Sequence, residues 1–162
     1  MTDDSPTDAT WLALAVDLAV ANVAEGGGPF GAVVVRNGVV VAQGQNRVTR
    51  DLDPTAHAEV EAIRAAGRAL SDFTLVGCTL YASCEPCPLC VSASLWARLD
   101  RVVFAADRDD AARGGFDDRA FYDLFAQDRA TWPTVVERGV DVGAGVTAPF
   151  DAWLADLERI RY

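Results

Sequence analysis

Apolar positions recur along the chain with two periods, and their alternation lays out the elements. From Trp11 to Glu25 the spacing is helical, with Trp11, Leu14, Ala15, Leu18 and Ala21 on one face. Gly26-Gly27-Gly28-Pro29 ends that helix. Two β-rich runs follow, Ala32 to Arg36 and Val39 to Gly44. They are joined by Asn37-Gly38, a dipeptide suited to a two-residue hairpin turn. Asp53, Pro54 and Thr55 signal the start of a helix from about Ala56 to Leu70. Cys78 to Ser83 reads as a buried strand, and Pro88 suits the first turn of a helix continuing through Trp96. Arg101 to Ala106 is a further strand. Ala120 to Phe125 and Phe150 to Ile160 have helical spacing, and Thr134 to Val142 reads as an edge strand. The strand–helix–strand–helix–strand order of the middle predicts an α/β layer with parallel members.

The length, 162 residues, suits one domain over 1–162 with a full core, and 51% apolar against 23% charged residues is a globular balance. The formal net charge is −10, and all fourteen basic residues are Arg. Without Lys the chain has no Schiff-base nucleophile and no P-loop phosphate clamp. An acidic surface repels phosphate backbones, so no nucleic-acid partner is expected. No apolar run reaches the roughly 18 to 20 residues of a membrane span, so no membrane partner is expected either. Met1 to Asp8 is acidic and polar, where a secretory signal would place basic and then apolar residues. The protein therefore reads as cytoplasmic, with reduced thiols, and its four cysteines as ligands or core fillers.

The chemistry is concentrated in two short motifs. His57-Ala58-Glu59 contains the only histidine of the chain, and Pro86-Cys87-Pro88-Leu89-Cys90 follows about one helix later. Zinc takes thiolate sulfur and imidazole nitrogen in a near-tetrahedral arrangement. Cys87 and Cys90, three apart at a helix start, share a face, and the positive end of the helix favours two thiolates. Three protein ligands, His57, Cys87 and Cys90, leave a fourth position for water, as in catalytic sites, and a water so bound ionises near pH ~7 to give hydroxide. Glu59 is constrained by geometry: residues two apart lie about 200° apart around a helix. His57 and Glu59 can serve one site only from the first turn, where both lean over the open end. The combination H-x-E…P-C-x-x-C is the signature of zinc deaminases that act on bases, with the Glu as proton carrier. Cys78 reads as core in a strand, and Cys84 as packed beside the loop.

Beyond these motifs the chain resembles the bacterial guanine deaminases of the cytidine-deaminase superfamily. The resemblance runs through Gly28-Pro29-Phe30-Gly31-Ala32-Val33, Gly44-Gln45-Asn46, Asp53-Pro54-Thr55-Ala56-His57-Ala58-Glu59-Val60 and Ser83-Cys84-Glu85-Pro86-Cys87-Pro88-Leu89-Cys90. It continues in Trp96-Ala97-Arg98, Gly115-Phe116-Asp117-Asp118, Phe121-Tyr122, Pro149-Phe150-Asp151-Ala152-Trp153 and Tyr162. The resemblance implies a three-layer α/β/α cytidine-deaminase-like fold with a mixed five-stranded sheet. It implies one zinc per chain and a homodimer in which the C-terminal segment, 148–162, is exchanged between subunits. It also implies roles. Asn46 would read the purine edge with a donor and an acceptor. Phe30 and Trp96 would wall the base. The Ala58 N–H would hold a carbonyl, Asp118 would help deliver protons to the leaving amine, and Tyr162 would lid the site.

The implied reaction is hydrolytic deamination of guanine to xanthine and ammonia, in which Glu59 moves protons and a second carboxylate extends its reach. A nucleoside such as guanosine, or cytosine or another small aminated heterocycle, is the alternative substrate, since the zinc motifs are shared and sequence does not show pocket depth. A transfer RNA adenosine deaminase would need a basic docking surface, and a structural zinc module would need a fourth protein ligand and no Glu59.

Overall fold

A computed structural model describes residues 7–137, 139 and 145–161. Its elements are α1 (Asp8–Ala24), β1 (Gly31–Arg36), β2 (Val39–Gln45), the one-turn α2 (Val48–Asp51), α3 (Ala58–Leu70), β3 (Cys78–Cys84), α4 (Pro88–Trp96), β4 (Arg101–Ala106), α5 (Arg108–Arg113), α6 (Arg119–Phe125) and α7 (Ala148–Ala155). The chain divides into two compact units, Met1–Tyr122 and Asp123–Tyr162.

In the first unit the strands form one sheet in the order β2-β1-β3-β4. β1 is antiparallel to β2 and to β3, while β3 and β4 run parallel. The first five residues of β1 are all buried, because alternate side chains serve two cores. Val33 and Val35, with Tyr81 of β3, pack against Ala15 of α1. Ala32 and Val34, with Cys78 and Leu80, pack on the other side against Ala58, Ala62 and Ala66 of α3. The result is helix, sheet, helix in three layers, with a mixed sheet at the centre. Both helices come close to the sheet because β1 and β2 carry glycine at the contact: a Cβ on Gly31 would lie 2.7 Å from the Ala19 nitrogen, and one on Gly44 2.5 Å from the Ala62 nitrogen. The hairpin turn is left-handed at both residues, with φ of 52° at Asn37 and 72° at Gly38, as the paired strands' twist requires.

Several expectations change. α1 begins at Asp8, three residues early, because Thr7 closes a capping box with Thr10. On its inner face Ala21 is exposed and the buried residue is Asn22. α3 begins at Ala58 and not at Ala56, because Asp53 uses its carboxylate on Thr55, accepting from the backbone N–H at 2.8 Å and the hydroxyl at 2.7 Å. That fixes a turn before the helix and leaves His57 as its N-cap. The sheet of the described residues has four strands, not five. Residues 134–137, in the stretch expected to be an edge strand, carry no strand structure; 138 and 140–142 lie outside the described residues. Branched side chains favour a pleat only when a neighbouring strand supplies the ladder. The last helix stops at Ala155 instead of reaching Ile160, and Arg159 donates back to the Leu154 and Asp156 carbonyls at 3.2 and 2.7 Å. No helix of the described residues is long and apolar enough to cross a membrane.

Candidate metal centre and active site

The N-termini of α3 and α4 carry the first-motif and second-motif residues. His57 is the N-cap of α3 and Cys87 the N-cap of α4, both with extended backbone, and Pro88 starts α4 where a missing N–H costs nothing. His57 Nδ1 lies 3.5 Å from Cys87 Sγ and 3.4 Å from Cys90 Sγ, and the two sulfurs are 3.6 Å apart. Tetrahedral zinc with bonds of about 2.3 Å to sulfur and about 2.0 Å to nitrogen requires edges of about 3.8 and about 3.5 Å. The donor triangle therefore fits zinc as it stands. Among the described residues these three form the only cluster of at least three potential ligand side chains close enough to share an ion. The imidazole beside the Cys87 sulfur is held above its ordinary pKa. Cys87 is pulled well below the usual thiol range, chiefly by the Cys90 sulfur, with the His57 ring assisting; Cys90 is pushed up by the same sulfur pair and by burial. Of the pair, Cys87 is thus the readier thiolate.

Glu59 sits in the first turn of α3, 7% exposed, and burial pushes its carboxyl above the ordinary range. Its position resolves the angular constraint: His57 caps the helix and Glu59 is two residues inside it, so both reach its open end. A cavity of about 760 Å³ opens there, lined by His57, Glu59 and Cys87 together with Phe30, Asn46 and Asp118. Asp118 Oδ1 is buried with no hydrogen-bond partner among the described residues. Burial raises its pKa, and the Cys87 charge adds to the effect. The neighbouring Asp117 behaves oppositely. It pairs with Arg119, is exposed, and its pKa falls to about 2.

The structure does not bring every expected residue to the cavity. Cys90 is wholly buried behind Cys87. Ala58 is buried in the first turn of α3, where its N–H has no intrahelical acceptor. Trp96 is 72% exposed and does not line the cavity. It lies at the far end of α4 from Cys87, about 13 Å away for nine residues of helical rise. In one chain it cannot be a wall of this site. Tyr162 lies outside the described residues. Cys78 is fully buried in the core. Cys84 lines the cavity, donates to the Asp107 carbonyl at 3.6 Å, and is held protonated by burial, its pKa pushed up to about 11.

Other residues at the site were not anticipated. Phe116 lines the cavity and meets Phe30 edge-to-face at 4.9 Å, so the aromatic wall is a pair. Glu85 and Arg108 also line it. Arg108 donates to Glu85 through Nε at 3.1 Å, and its guanidinium lies 4.0 Å from the Tyr122 ring centre. Tyr122 in turn donates to the Pro86 carbonyl at 3.1 Å, next to Cys87. This chain of contacts braces the cysteine loop. Only the aromatic beside Asp117 was legible beforehand; the ion pair joins residues 23 apart.

Residues 5–106 match the cytidine and deoxycytidylate deaminase zinc-binding region. The chain belongs to this family of zinc-dependent deaminases. It is 54% identical over 114 residues to the guanine deaminase of Bacillus subtilis, covering 70% of this chain and 73% of that one. The crystal structure of guanine deaminase from Bacillus subtilis superposes with a TM-score of 0.91 at 42% identity, covering 97% of this chain and 99% of that one. A structural relative in complex with 2,6-diaminopurine gives a TM-score of 0.67 at 34% identity, covering 69% of this chain and 63% of that one. A transfer RNA deaminase that edits A to I at the wobble position gives 0.61 at 31% identity, covering 80% and 93%. The deaminase fold is therefore shared more widely than any one substrate.

Proposed function

We propose that this chain hydrolytically deaminates guanine to xanthine and ammonia. The observation that carries the proposal is one cavity lined by two carboxyls with raised pKa, Glu59 and Asp118, beside the His57–Cys87–Cys90 triangle. The similarity to guanine deaminases supports it. Zinc held by His57, Cys87 and Cys90 would supply a water that ionises near neutral pH.

The remaining steps belong to the chain. Glu59 accepts the proton of the attacking water and returns it to the purine ring nitrogen N3. Its buried carboxyl favours holding a proton, as a carrier between acceptors must. A second proton, released by the new C2 hydroxyl as it becomes the xanthine carbonyl, must reach the exocyclic amine for ammonia to leave as the C2–N bond breaks. Asp118, whose Oδ1 has no hydrogen-bond partner among the described residues, lines the cavity and would relay it. Asn46 presents a carboxamide to the base edge, the Phe30–Phe116 pair gives it a flat wall, and the Ala58 N–H is available to a carbonyl.

Ammonia release measured over guanine, guanosine, cytosine, cytidine, adenine and ammeline tests the proposal. Turnover of guanine well above the rest supports it, and turnover of adenine or cytidine with none of guanine overturns it. The cavity volume leaves room for a ribose, which is why guanosine belongs in the panel. We also propose a homodimer in which 148–162 is exchanged. Phe150, Leu154, Leu157 and Ile160 are all exposed in the single chain, which supports an intermolecular partner for that segment.

A further inference from the structure

Asn22 is completely buried on α1, although it is polar and lies on the helix's inner face. Its carboxamide is fully used. Nδ2 donates to the Gly28 carbonyl at 2.7 Å and to the Asn46 carbonyl at 2.8 Å, and Oδ1 accepts from the Arg50 guanidinium. The amide orientation is forced, because the opposite flip would set an oxygen against two carbonyls and an NH2 against a cation. The Asn22 backbone carbonyl also accepts from the Gly27 N–H at 2.8 Å. Gly27 packs so tightly on this carboxamide that a Cβ there would overlap it.

The two segments tied by Asn22 both face the cavity. Gly28 and Phe30 line it from one loop, and Asn46 from the end of β2. They are joined again by the Asn46 N–H to the Phe30 carbonyl at 3.1 Å. The Asn46 carboxamide is held in turn, its Oδ1 accepting from the Val48 N–H at 3.3 Å. A Cβ on Gly28 would lie 3.0 Å from that oxygen. Asn46 therefore has little freedom of its own: its backbone is fixed by Asn22 and its side chain by Val48 and the bare Gly28.

We propose that Asn22 is a positioning residue that aims the Asn46 carboxamide at the substrate base, and so governs substrate affinity and not the proton transfers. The proposal rests on the reading of Asn46 as the residue that meets the base edge. Asparagine is the side chain that fits. Aspartate has the same shape and could keep the Arg50 contact, but it has no N–H for the two carbonyls. Alanine would leave the Asn46 carbonyl without its donor, leave the Gly28 carbonyl only the Phe30 N–H, and leave Arg50 only its ion pair with Glu25.

The test is steady-state kinetics on guanine for zinc-loaded Asn22→Asp, Asn46→Ala and the double variant, with zinc content and Tm measured on each. Asn22→Asp should raise KM about tenfold and leave kcat within about twofold, the pattern of lost uniform binding. If Asn22 acts through Asn46, the double variant should have the KM of Asn46→Ala alone, within about twofold, since coupled residues are non-additive. Effects on KM that multiply, or a fall in kcat with KM unchanged, would overturn the proposal. An unchanged KM in Asn46→Ala alone would instead overturn the reading of Asn46, and it is measured without touching Asn22. Should Asn22→Asp fail to fold, Gly28→Ala pushes the Asn46 side chain from the other side. The same KM rise, absent in the Asn46→Ala background, supports the proposal, and a rise that persists there overturns it.

Discussion

His57 and Cys87, thirty residues apart in sequence, cap two different helices and face each other at 3.5 Å. Each is an N-cap with extended backbone, so each side chain sits over the unpaired N–H groups of a first turn. Both helices thus turn their positive ends toward one point, and a thiolate at Cys87 is favoured there before any cation is counted.

Removing one sulfur should release the metal. Cys87→Ala is expected to retain little zinc by elemental analysis and to melt at lower temperature, because part of the metal's binding energy is folding energy. A chelator should lower the Tm of the parent protein in the same way. Full zinc occupancy in a Cys87→Ala/Cys90→Ala double variant would reject these ligands.

Glu59→Gln keeps the shape of the side chain but cannot carry a proton. Zinc content should stay at the parental level while kcat falls at least ~10²-fold, the scale of general acid–base catalysis. Loss of zinc in this variant would make Glu59 a ligand.

Asp118→Asn should separate activity from stability. The carboxyl is raised by burial, so its charged form destabilises the fold above the folded pKa, and that cost disappears as pH falls. The substitution should cut kcat yet raise Tm at pH 7, with the gain in Tm gone below about pH 4. Asp117→Asn should leave kcat nearly unchanged, since Asp117 is engaged with Arg119. Equal and small effects on kcat at both positions would reduce the pair to helix-start residues.

Glu85 has the opposite sign. The Arg108 guanidinium holds its carboxyl below the ordinary range, so the pair stabilises the fold at neutral pH and the contribution fades as pH falls through that depressed value. Glu85→Gln should lower Tm at pH 7, and the two melting curves should converge only once the pH is below that depressed value. Curves that stay separated at acid pH would assign the effect to packing.

The C-terminal segment can be tested without disturbing its helix. Arg159 donates to the Leu154 and Asp156 carbonyls, so truncation after Arg159 keeps that cap while removing the last three residues. Zinc content should be retained and guanine turnover should fall. Unfolding this truncated chain together with full-length Glu59→Gln and refolding the mixture should restore activity if the segment is exchanged, because one mixed site then has an intact Glu59 and an intact partner tail. Full activity of the truncated chain alone would show that the last residues do not serve the site.

The sequence by itself determined the hairpin, the strands β3 and β4, the cysteine helix and a set of residues that could hold a metal. Each depends on local chemistry: Asn37-Gly38 suits only a tight left-handed turn, and Pro88 belongs in a first turn. The only histidine and a closely spaced cysteine pair leave few ways to ligate zinc. Tertiary structure decided what depends on distant partners. Whether the branched run from Thr134 forms a strand depends on a neighbour that spacing does not reveal. Trp96 shares a helix with Cys87, and tertiary structure decides that it is 72% exposed and away from the cavity, because the packing of α4 sets which of its residues face a site. Nothing in the spacing singles out Asn22; folding places the Gly28 and Asn46 carbonyls against its one amide, and a buried polar group is intelligible only once its partners have arrived.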